Sequence, residues 1–512
     1  MKSSETAIHK FFNSALKFPD RPAVFVNGRL YFYSELLQSI SDVYSVIPDL
    51  SAEGGLAGIL TCEDMVTYAS LLAILAKGGG YVPVNSSNPV ERNSEIISDS
   101  GIKTLLVSKI DEKTSELINR CHGLRLIETS VCKAGSLLTE IPPVEDNRVM
   151  YMIYTSGSTG KPKGVPVYYR NMNGFLDHML DRKNYDFNEN DRFLMMFGLT
   201  FDASLMSLFV SLSIGASFYV VPGKGVHNLN IYNTLEQHNI TVANVVPSLL
   251  TYLRPYFPEI SLPHLRYFMS GGEALYDDVV REFWSKCANN AIIENLYGPT
   301  ESTVFCHTYR WDHEKSGSEA YNGIVPIGRP MKGMEAYIID DAGNILPDGM
   351  KGELCISGRQ VTDHYWNDRE RTKDAYKNIT AGQVRKNVYK TGDLCFVNSE
   401  GNFVFLGRID DQVKIDGFRV EPGEIEFHAR SFLRDEKIAV VAIENEKGVM
   451  QIFLLIENYH GNKMELLEKM RLVLPYYMLP HEILPVISIP LNVNGKTDYK
   501  KLKEEWSNLK LN

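Results

Sequence analysis

The sequence predicts an α/β protein with a large N-terminal domain of layered α/β sheets and a β-rich subdomain over residues 1–409. A small α+β C-terminal domain is expected over residues 410–512. Three observations predict this. Short apolar runs alternate with helix-length patterns up to about residue 300, as parallel strands joined by helical crossovers do. After about residue 323 the texture turns β-rich. Gly407-Arg-Ile-Asp-Asp-Gln412 is then a short polar joint ahead of a tail of roughly 100 residues, the size of a separate domain.

The elements follow in order. The N-terminal stretch places Ile8, Phe11, Phe12 and Leu16 on one helical face instead of in a continuous apolar block, so it reads as an amphipathic helix and not an export signal. Ala23–Val26 and Leu30–Tyr33 flank Asn27-Gly28, the signature of a tight hairpin. Leu71–Ala76 reads as helix, and Tyr81–Val84 and Thr104–Val107 as strands. Val149–Ile153 reads as a buried strand and Gly164–Tyr169 as a second, with Asn171 placed to cap the helix that follows. Beyond residue 191 come Ser217–Val221 (strand), Ile231–Asn239 (helix), Thr241–Val246 (strand) and Leu265–Met269 (strand). Ligands of such sheets sit outside the carboxyl ends of the strands. Gly271-Gly272 stands at one such end, where missing side chains admit a flat ligand close to the backbone. The β-rich segments are Ala336–Ile339, Glu353–Ser357 and Phe403–Phe405, and the tail holds a hairpin-like pair, Ile438–Ile443 and Met450–Ile456.

Composition narrows the function classes. Hydrophobic residues make up 44% and charged residues 23%, ordinary values for a globular protein. A formal charge of −10 argues against nucleic acid as the main partner. The seven cysteines form no C-x-x-C pair, so neither a disulfide scaffold nor a zinc site is expected, and a reducing cytoplasmic location fits. The longest apolar run, Tyr68–Ala76, is too short for membrane insertion.

The stretch Tyr154-Thr-Ser-Gly-Ser-Thr-Gly-Lys-Pro-Lys-Gly-Val165 carries the first chemistry. Gly157, Gly160 and Gly164 let backbone N–H groups turn toward an anion. Thr155, Ser156, Ser158 and Thr159 bring hydroxyl donors, and Lys161 and Lys163 bring charge. This is a polyphosphate loop by composition. It is not a Walker loop, because Thr155 and Pro162 stand where that pattern needs Gly and Ser or Thr. A second constellation, Glu294-Asn-Leu-Tyr-Gly-Pro-Thr-Glu301, joins a strand end to a turn. Its aromatic residue, Gly298-Pro299 turn, hydroxyl and carboxylate suit a nucleotide carrying Mg²⁺, with Tyr297 able to stack on a base and Thr300 to contact phosphate. In Tyr389-Lys-Thr-Gly-Asp393 the carboxylate can accept from two vicinal hydroxyls.

These stretches, with Pro19–Val24, Ala76–Val84, Lys414–Glu421 and Pro490–Tyr499, resemble the motifs of adenylate-forming enzymes, in family order from about residue 8 to 502. That family comprises acyl-CoA synthetases, luciferases, peptide-synthetase adenylation domains and D-alanine:carrier-protein ligases. Asn85 departs from it, since the family usually has Asp there. The resemblance implies ATP and Mg²⁺ as cofactors. It also implies that Asn295 contacts adenine, Glu301 holds the metal, and Asp393 and Arg408 bind the ribose. Asp410 would be the hinge of a mobile C-terminal lid, Lys414 and Gly417 would line a thiol-entry path, and Lys496 would bridge substrate carboxylate and α-phosphate as the catalytic lysine.

Leu199-Thr-Phe-Asp-Ala-Ser204 bears on the choice of acid, because Asp202 is a carboxylate in an apolar neighbourhood. In amino-acid-activating members of the family the matching Asp pairs with the substrate α-ammonium. An alternative is that Asp202 caps a helix starting near Ala203. The family pocket carried onto this chain gives Ala203, Met206, Asn244, Phe268, Ser270, Leu296, Val304 and Phe305 as the remaining walls. They are mostly apolar, with no charge, and imply an amino acid with a small or medium neutral side chain. D-Alanine:carrier-protein ligases are similar in length and wording, but usually carry Cys where this chain has Gly271. The expected thiol acceptor is the phosphopantetheine of a separate carrier protein, with coenzyme A as runner-up. The rival readings are an acyl- or aryl-CoA ligase for amine-free acids and a catalytically inactive binding relative.

Overall fold

The computed structural model describes residues 5–50, 55–133, 136–157, 160–288, 290–433, 436–445, 449–491 and 497–509. These fall into two compact units. The first comprises residues 1–86, 97–153 and 164–409, and the second comprises residues 87–96, 154–163 and 410–512. The second unit thus gathers two short segments, one of them the glycine-rich loop, that the linear division at residue 409 had left with the first.

Two sheets form the frame of the first unit. A nine-stranded sheet runs in the order Arg329–Pro330, His307–Arg310, Ile292–Tyr297, Tyr267–Gly271, Val242–Val245, Arg192–Met195, Ser217–Val220, Pro22–Val26 and Arg29–Phe32. Its interior pairs are parallel and its flanks antiparallel. A six-stranded sheet runs in the order Arg125–Glu128, Thr104–Val107, Leu56–Thr61, Gly80–Asn85, Val149–Thr155 and Lys163–Tyr168. The β-rich part is a five-stranded antiparallel sheet built around the long strand Val384–Val397.

Local sequence explains most of these elements. Asn27 and Gly28 both take positive φ, 51° and 75°, which a two-residue hairpin turn requires. The helix Met65–Ala76 is buried on every side, as its nearly all-apolar sequence demands, and Asp64 caps it by accepting from the Thr67 N–H at 2.8 Å. The first helix, Ala7–Lys17, buries Ile8, Phe11 and Phe12 as expected, but Ala15 takes the inward place and Leu16 is exposed. Asn171 is not the cap residue. It sits in the first turn of Tyr169–Met179 and reaches back to accept from the Tyr168 N–H at 2.9 Å. Asp393 lies inside the strand Val384–Val397. The strand expected at Leu265–Met269 runs instead from Tyr267 to Gly271.

In the second unit the hairpin Ile438–Glu444/Met450–Glu457 is present, and Glu482–Val486 joins it as a parallel third strand. Val413–Ile415 and Phe418–Val420 form a separate small hairpin turning at Asp416-Gly417, both with positive φ. None of the seven cysteines is in a disulfide, and among the described residues no helix is long and apolar enough to cross a membrane.

Gly80 is the tightest point of the six-stranded sheet. A Cβ there would lie 2.3 Å from the Val149 carbonyl oxygen and 2.9 Å from Leu56 Cδ2. Backbone cannot yield as a side chain can, so Gly80→Ala should destabilise the protein by about 1–3 kcal/mol. Urea unfolding should show a lower midpoint at unchanged slope.

Candidate active site

Three parallel strands of the nine-stranded sheet, Val242–Val245, Tyr267–Gly271 and Ile292–Tyr297, end side by side. Beside them the chain turns at Phe201–Ala203 and enters a helix whose π-helical segment is Met206–Val210, a geometry frequent at functional sites. Asn244 ties these parts together, because its Nδ2 donates to the Ala203 carbonyl at 3.0 Å.

Asp202 is 5% exposed. Burial pushes its carboxyl up to about 7, and the nearby Glu301 adds to the effect. The Val304 N–H, the Thr300 hydroxyl and the Ala203 N–H work the other way by bonding the charged form. One carboxyl oxygen, Oδ2, has no partner among the described residues. The N–H groups that a helix cap at Asp202 would bind are used elsewhere, Ser204 donating to the Phe201 carbonyl at 3.1 Å and Leu205 to the Asp202 carbonyl at 2.9 Å. The donors beside it are held at some strain: Thr303 and Val304 take φ of 61° and 66°, a region a β-branched valine rarely enters. Tyr81 and Tyr151, packed ring to ring at 5.9 Å, also lie within electrostatic reach of Asp202, and their buried hydroxyls have no partner among the described residues. Sequence reading did not single out either tyrosine, because a Tyr inside an apolar run looks like packing.

Strand alternation corrects two of the expected walls. Asn244 is in register with Met269, and Gly271 with Leu296, so these residues share one face. Phe268 and Ser270 point to the other face. Phe268 packs on Phe283 at 4.6 Å in the core that also holds Val245 and Ile293. Met269, by contrast, belongs to the core with Ala203, Met206, Leu296, Val304 and Phe305. Met269 and Gly271, not Phe268 and Ser270, are thus the positions on the Asp202 side. A Cβ at Gly271 would meet Phe305 Cε1 at 2.9 Å and the Leu296 carbonyl oxygen at 2.5 Å. The period of two was visible in the sequence, but which of the two faces meets the site is set by packing against the neighbouring strands.

The second constellation assembles in the first compact unit as well. Tyr297 donates its hydroxyl to Asp393, and Arg408, the cross-strand partner of Asp393, donates to the other carboxyl oxygen at 2.8 Å. Tyr297, which sequence reading placed against a base, is thereby anchored through its hydroxyl. Asn295 donates through Nδ2 to the carbonyls of Pro326 at 2.9 Å and Val325 at 3.3 Å, which fixes its amide and turns Oδ1 away from them. Gly298 is sterically required, since a Cβ would lie 2.6 Å from Phe305 Cα. Glu301 is fully buried and accepts from Tyr365 Oη at 2.6 Å, a partner the sequence gave no sign of because it lies 64 residues away. Gly272 follows the strand Tyr267–Gly271 with φ 98°. Among the described residues no group of three or more metal-ligating side chains occurs.

The glycine-rich loop lies in the second compact unit. There the Gly157 N–H donates to Glu424 Oε2 at 3.0 Å, while Glu424 Oε1 pairs with buried Arg92 at 2.5 Å. Ser156 Oγ donates to the Arg419 carbonyl at 2.7 Å. Thr155 Oγ1 is buried without a partner among the described residues, Lys163 is buried and Lys161 is exposed. Gly160, at φ 82°, leaves space that the Phe427 ring fills. Asp410 opens the C-terminal part of this unit and accepts from the Gln412 N–H at 3.3 Å. Lys414 and Gly417 belong to the small hairpin, where Lys414 pairs with Arg419 across the strands. Ser158, Thr159 and Lys496 lie outside the described residues.

The raised Asp202 carboxyl has a consequence for stability. Its folded value of about 7 exceeds the ordinary value near 3.9, so between these pH values the folded protein holds a proton that the unfolded chain has lost. Stability therefore falls as pH rises through that window, by about 1.4 kcal/mol for each pH step of one. Asp202→Asn should raise the ligand-free melting temperature at pH 8, and the gain should vanish below about pH 4.

Residues 11–366 match the family model described as AMP-binding enzyme. The chain is 32% identical to zwittermicin A synthase ZmaJ of Bacillus cereus over 97% of its own length and 94% of that protein. It is 29% identical to tyrocidine synthase 1 of Brevibacillus parabrevis, covering 97% of this chain but only 45% of that protein's length. Among solved structures, the Vibrio cholerae adenylation domain AlmE, in complex with glycyl-adenosine-5'-phosphate, superposes with a TM-score of 0.83 at 24% identity, covering 99% of this chain and 98% of that one; this likeness concerns the fold. o-Succinylbenzoate CoA synthetase from Bacillus subtilis has the same fold, with a TM-score of 0.81 at 22% identity, covering 97% of this chain and 98% of that one. The match over residues 11–366 and the near full-length likeness to ZmaJ together make this chain a member of the AMP-binding enzyme family.

Proposed function

We propose that this protein uses ATP to convert an amino acid with a small or medium neutral side chain to an aminoacyl-adenylate. It then passes the aminoacyl group to the phosphopantetheine thiol of a separate carrier protein. The observation that carries the amino-acid reading is Asp202: a buried carboxyl with one unpartnered oxygen and, among the described groups that perturb it, no cationic side chain. A substrate α-ammonium supplies the missing charge, and the buried pair then favours ionisation. D-Alanine is one candidate within this class.

The chemistry follows from the residues. The substrate carboxylate attacks the α-phosphorus of ATP and pyrophosphate leaves, so the protein's work is positioning and charge neutralisation. Asp202 anchors the ammonium. Asp393 and Arg408, already paired across two strands, would receive the ribose hydroxyls, and Asn295 Oδ1 would accept from the adenine amino group. Thr155–Lys163 would hold the β- and γ-phosphates, Thr300 would contact phosphate, and Lys496 would bridge carboxylate and α-phosphate. Mg²⁺ commonly takes one or two carboxylates and completes its shell with substrate phosphates and water, and the single buried Glu301 carboxylate fits that donor set. When bound there it would supply positive charge to the phosphates. Residues 410–512 would act as the lid, rotating about Asp410 to withdraw Lys496 and present Lys414 and Gly417 to the incoming thiol.

Amino-acid-dependent ATP–pyrophosphate exchange tests this, on a panel holding both alanine enantiomers and several amine-free acids. Exchange is expected with an amino acid, and Asp202→Ala should lower its kcat/KM by about two to four orders of magnitude, from a loss of about 3–5 kcal/mol. The wild-type kcat/KM should rise with pH through about 7, as the free enzyme's Asp202 ionises while the substrate ammonium stays charged. Exchange only with amine-free acids, indifferent to the substitution, would move the protein to the acyl- or aryl-CoA ligase reading, with coenzyme A as acceptor.

A further inference from the structure

Asn244 is 1% exposed, and its carboxamide is half used. Nδ2 donates to the Ala203 carbonyl at 3.0 Å, whereas Oδ1 has no partner among the described residues. The assignment of the two amide atoms is not free, because a carbonyl can only accept and so must face the NH₂ group. The atom left over is therefore an acceptor. A buried acceptor without a donor is unfavourable, and such groups in folded proteins usually find a partner. Asn244 lies on the strand face shared with Met269, and its Nδ2 is bonded to the residue next to Asp202. The apolar side chains that share a core with Met269, among them Met206, Leu296, Val304 and Phe305, carry no hydrogen-bond donor.

Resting on the amino-acid reading above, we infer that the substrate's side chain carries a hydrogen-bond donor, a hydroxyl or a carboxamide N–H, which Asn244 Oδ1 accepts. The two unpartnered oxygens then divide the recognition. Asp202 Oδ2 takes the ammonium, and Asn244 Oδ1 reads the side chain. An apolar amino acid of the same size would leave Oδ1 buried and unpaired, so the site would reject it more strongly than a hydrophobic pocket rejects a missing methylene. A cationic side chain is disfavoured, because Asn244 offers a dipole and no compensating charge.

The test is ATP–pyrophosphate exchange on near-isosteric pairs, each in both enantiomers: serine against 2-aminobutyrate, threonine against valine, and asparagine against leucine. The expected result is that at least one donor-bearing member exceeds its apolar twin in kcat/KM by about 100-fold or more. Asn244→Leu, similar in size, should reduce that ratio to near or below one. Exchange with amino acids in which the wild type favours the apolar twin, or shows no preference, overturns this inference alone and leaves the amino-acid reading standing. Exchange with amine-free acids only overturns both. Because the first comparison uses the wild-type protein, the outcome does not hang on the variant's folding.

Discussion

Asp202 lies among apolar side chains with a carboxyl that burial alone would keep protonated, and the site is arranged around that problem. Three donors from two different segments bond its charged form, Thr300 and Val304 from the turn after the strand Ile292–Tyr297 and Ala203 from its own. The backbone accepts positive φ at two successive residues to aim the Val304 N–H there. One carboxyl oxygen, Oδ2, has no partner among the described residues. A carboxyl that is only partly satisfied is poor for stability and well suited to binding a cation, and such local conflicts concentrate at functional sites.

The nucleotide-side residues are organised differently. Tyr297, Asp393 and Arg408 form one bonded set that uses both carboxyl oxygens of Asp393. Its rigidity comes from sheet geometry, because Asp393 and Arg408 face each other across adjacent antiparallel strands. Glu301 and Tyr365 form a second rigid pair from distant parts of the chain. Side chains held this way need little reordering when a ligand arrives.

The glycine-rich loop shows how composition and structure speak to different questions. Glycines and hydroxyls near lysines indicate N–H groups available to an anion. In the structure the Gly157 N–H does face an anion, and that anion is the Glu424 carboxylate of the same compact unit, itself neutralised by Arg92. The electrostatic character of the loop was legible, but its partner was not, since Glu424 is 267 residues further along the chain.

Motif order, the alternation of strands and helices and the hairpin at Asn27-Gly28 were determined by the sequence itself, each through a local pattern. Asp202, Tyr297, Glu301 and Asp393 were singled out by the chemistry of their residue types, Asn244 and Arg408 only through the family resemblance. Tertiary structure decided what depends on phase and on distance. The site-facing role fell to Met269 and Gly271 instead of Phe268 and Ser270, because side chains on a strand alternate and only the pairing with neighbouring strands fixes which of the two sets faces the site. Tyr365, Tyr81 and Tyr151 were invisible because their roles exist only once separate segments pack together. The half-satisfied states of Asp202 and Asn244 belong here too: a sequence states which donors and acceptors a chain carries, and only folding determines which of them remain without a partner.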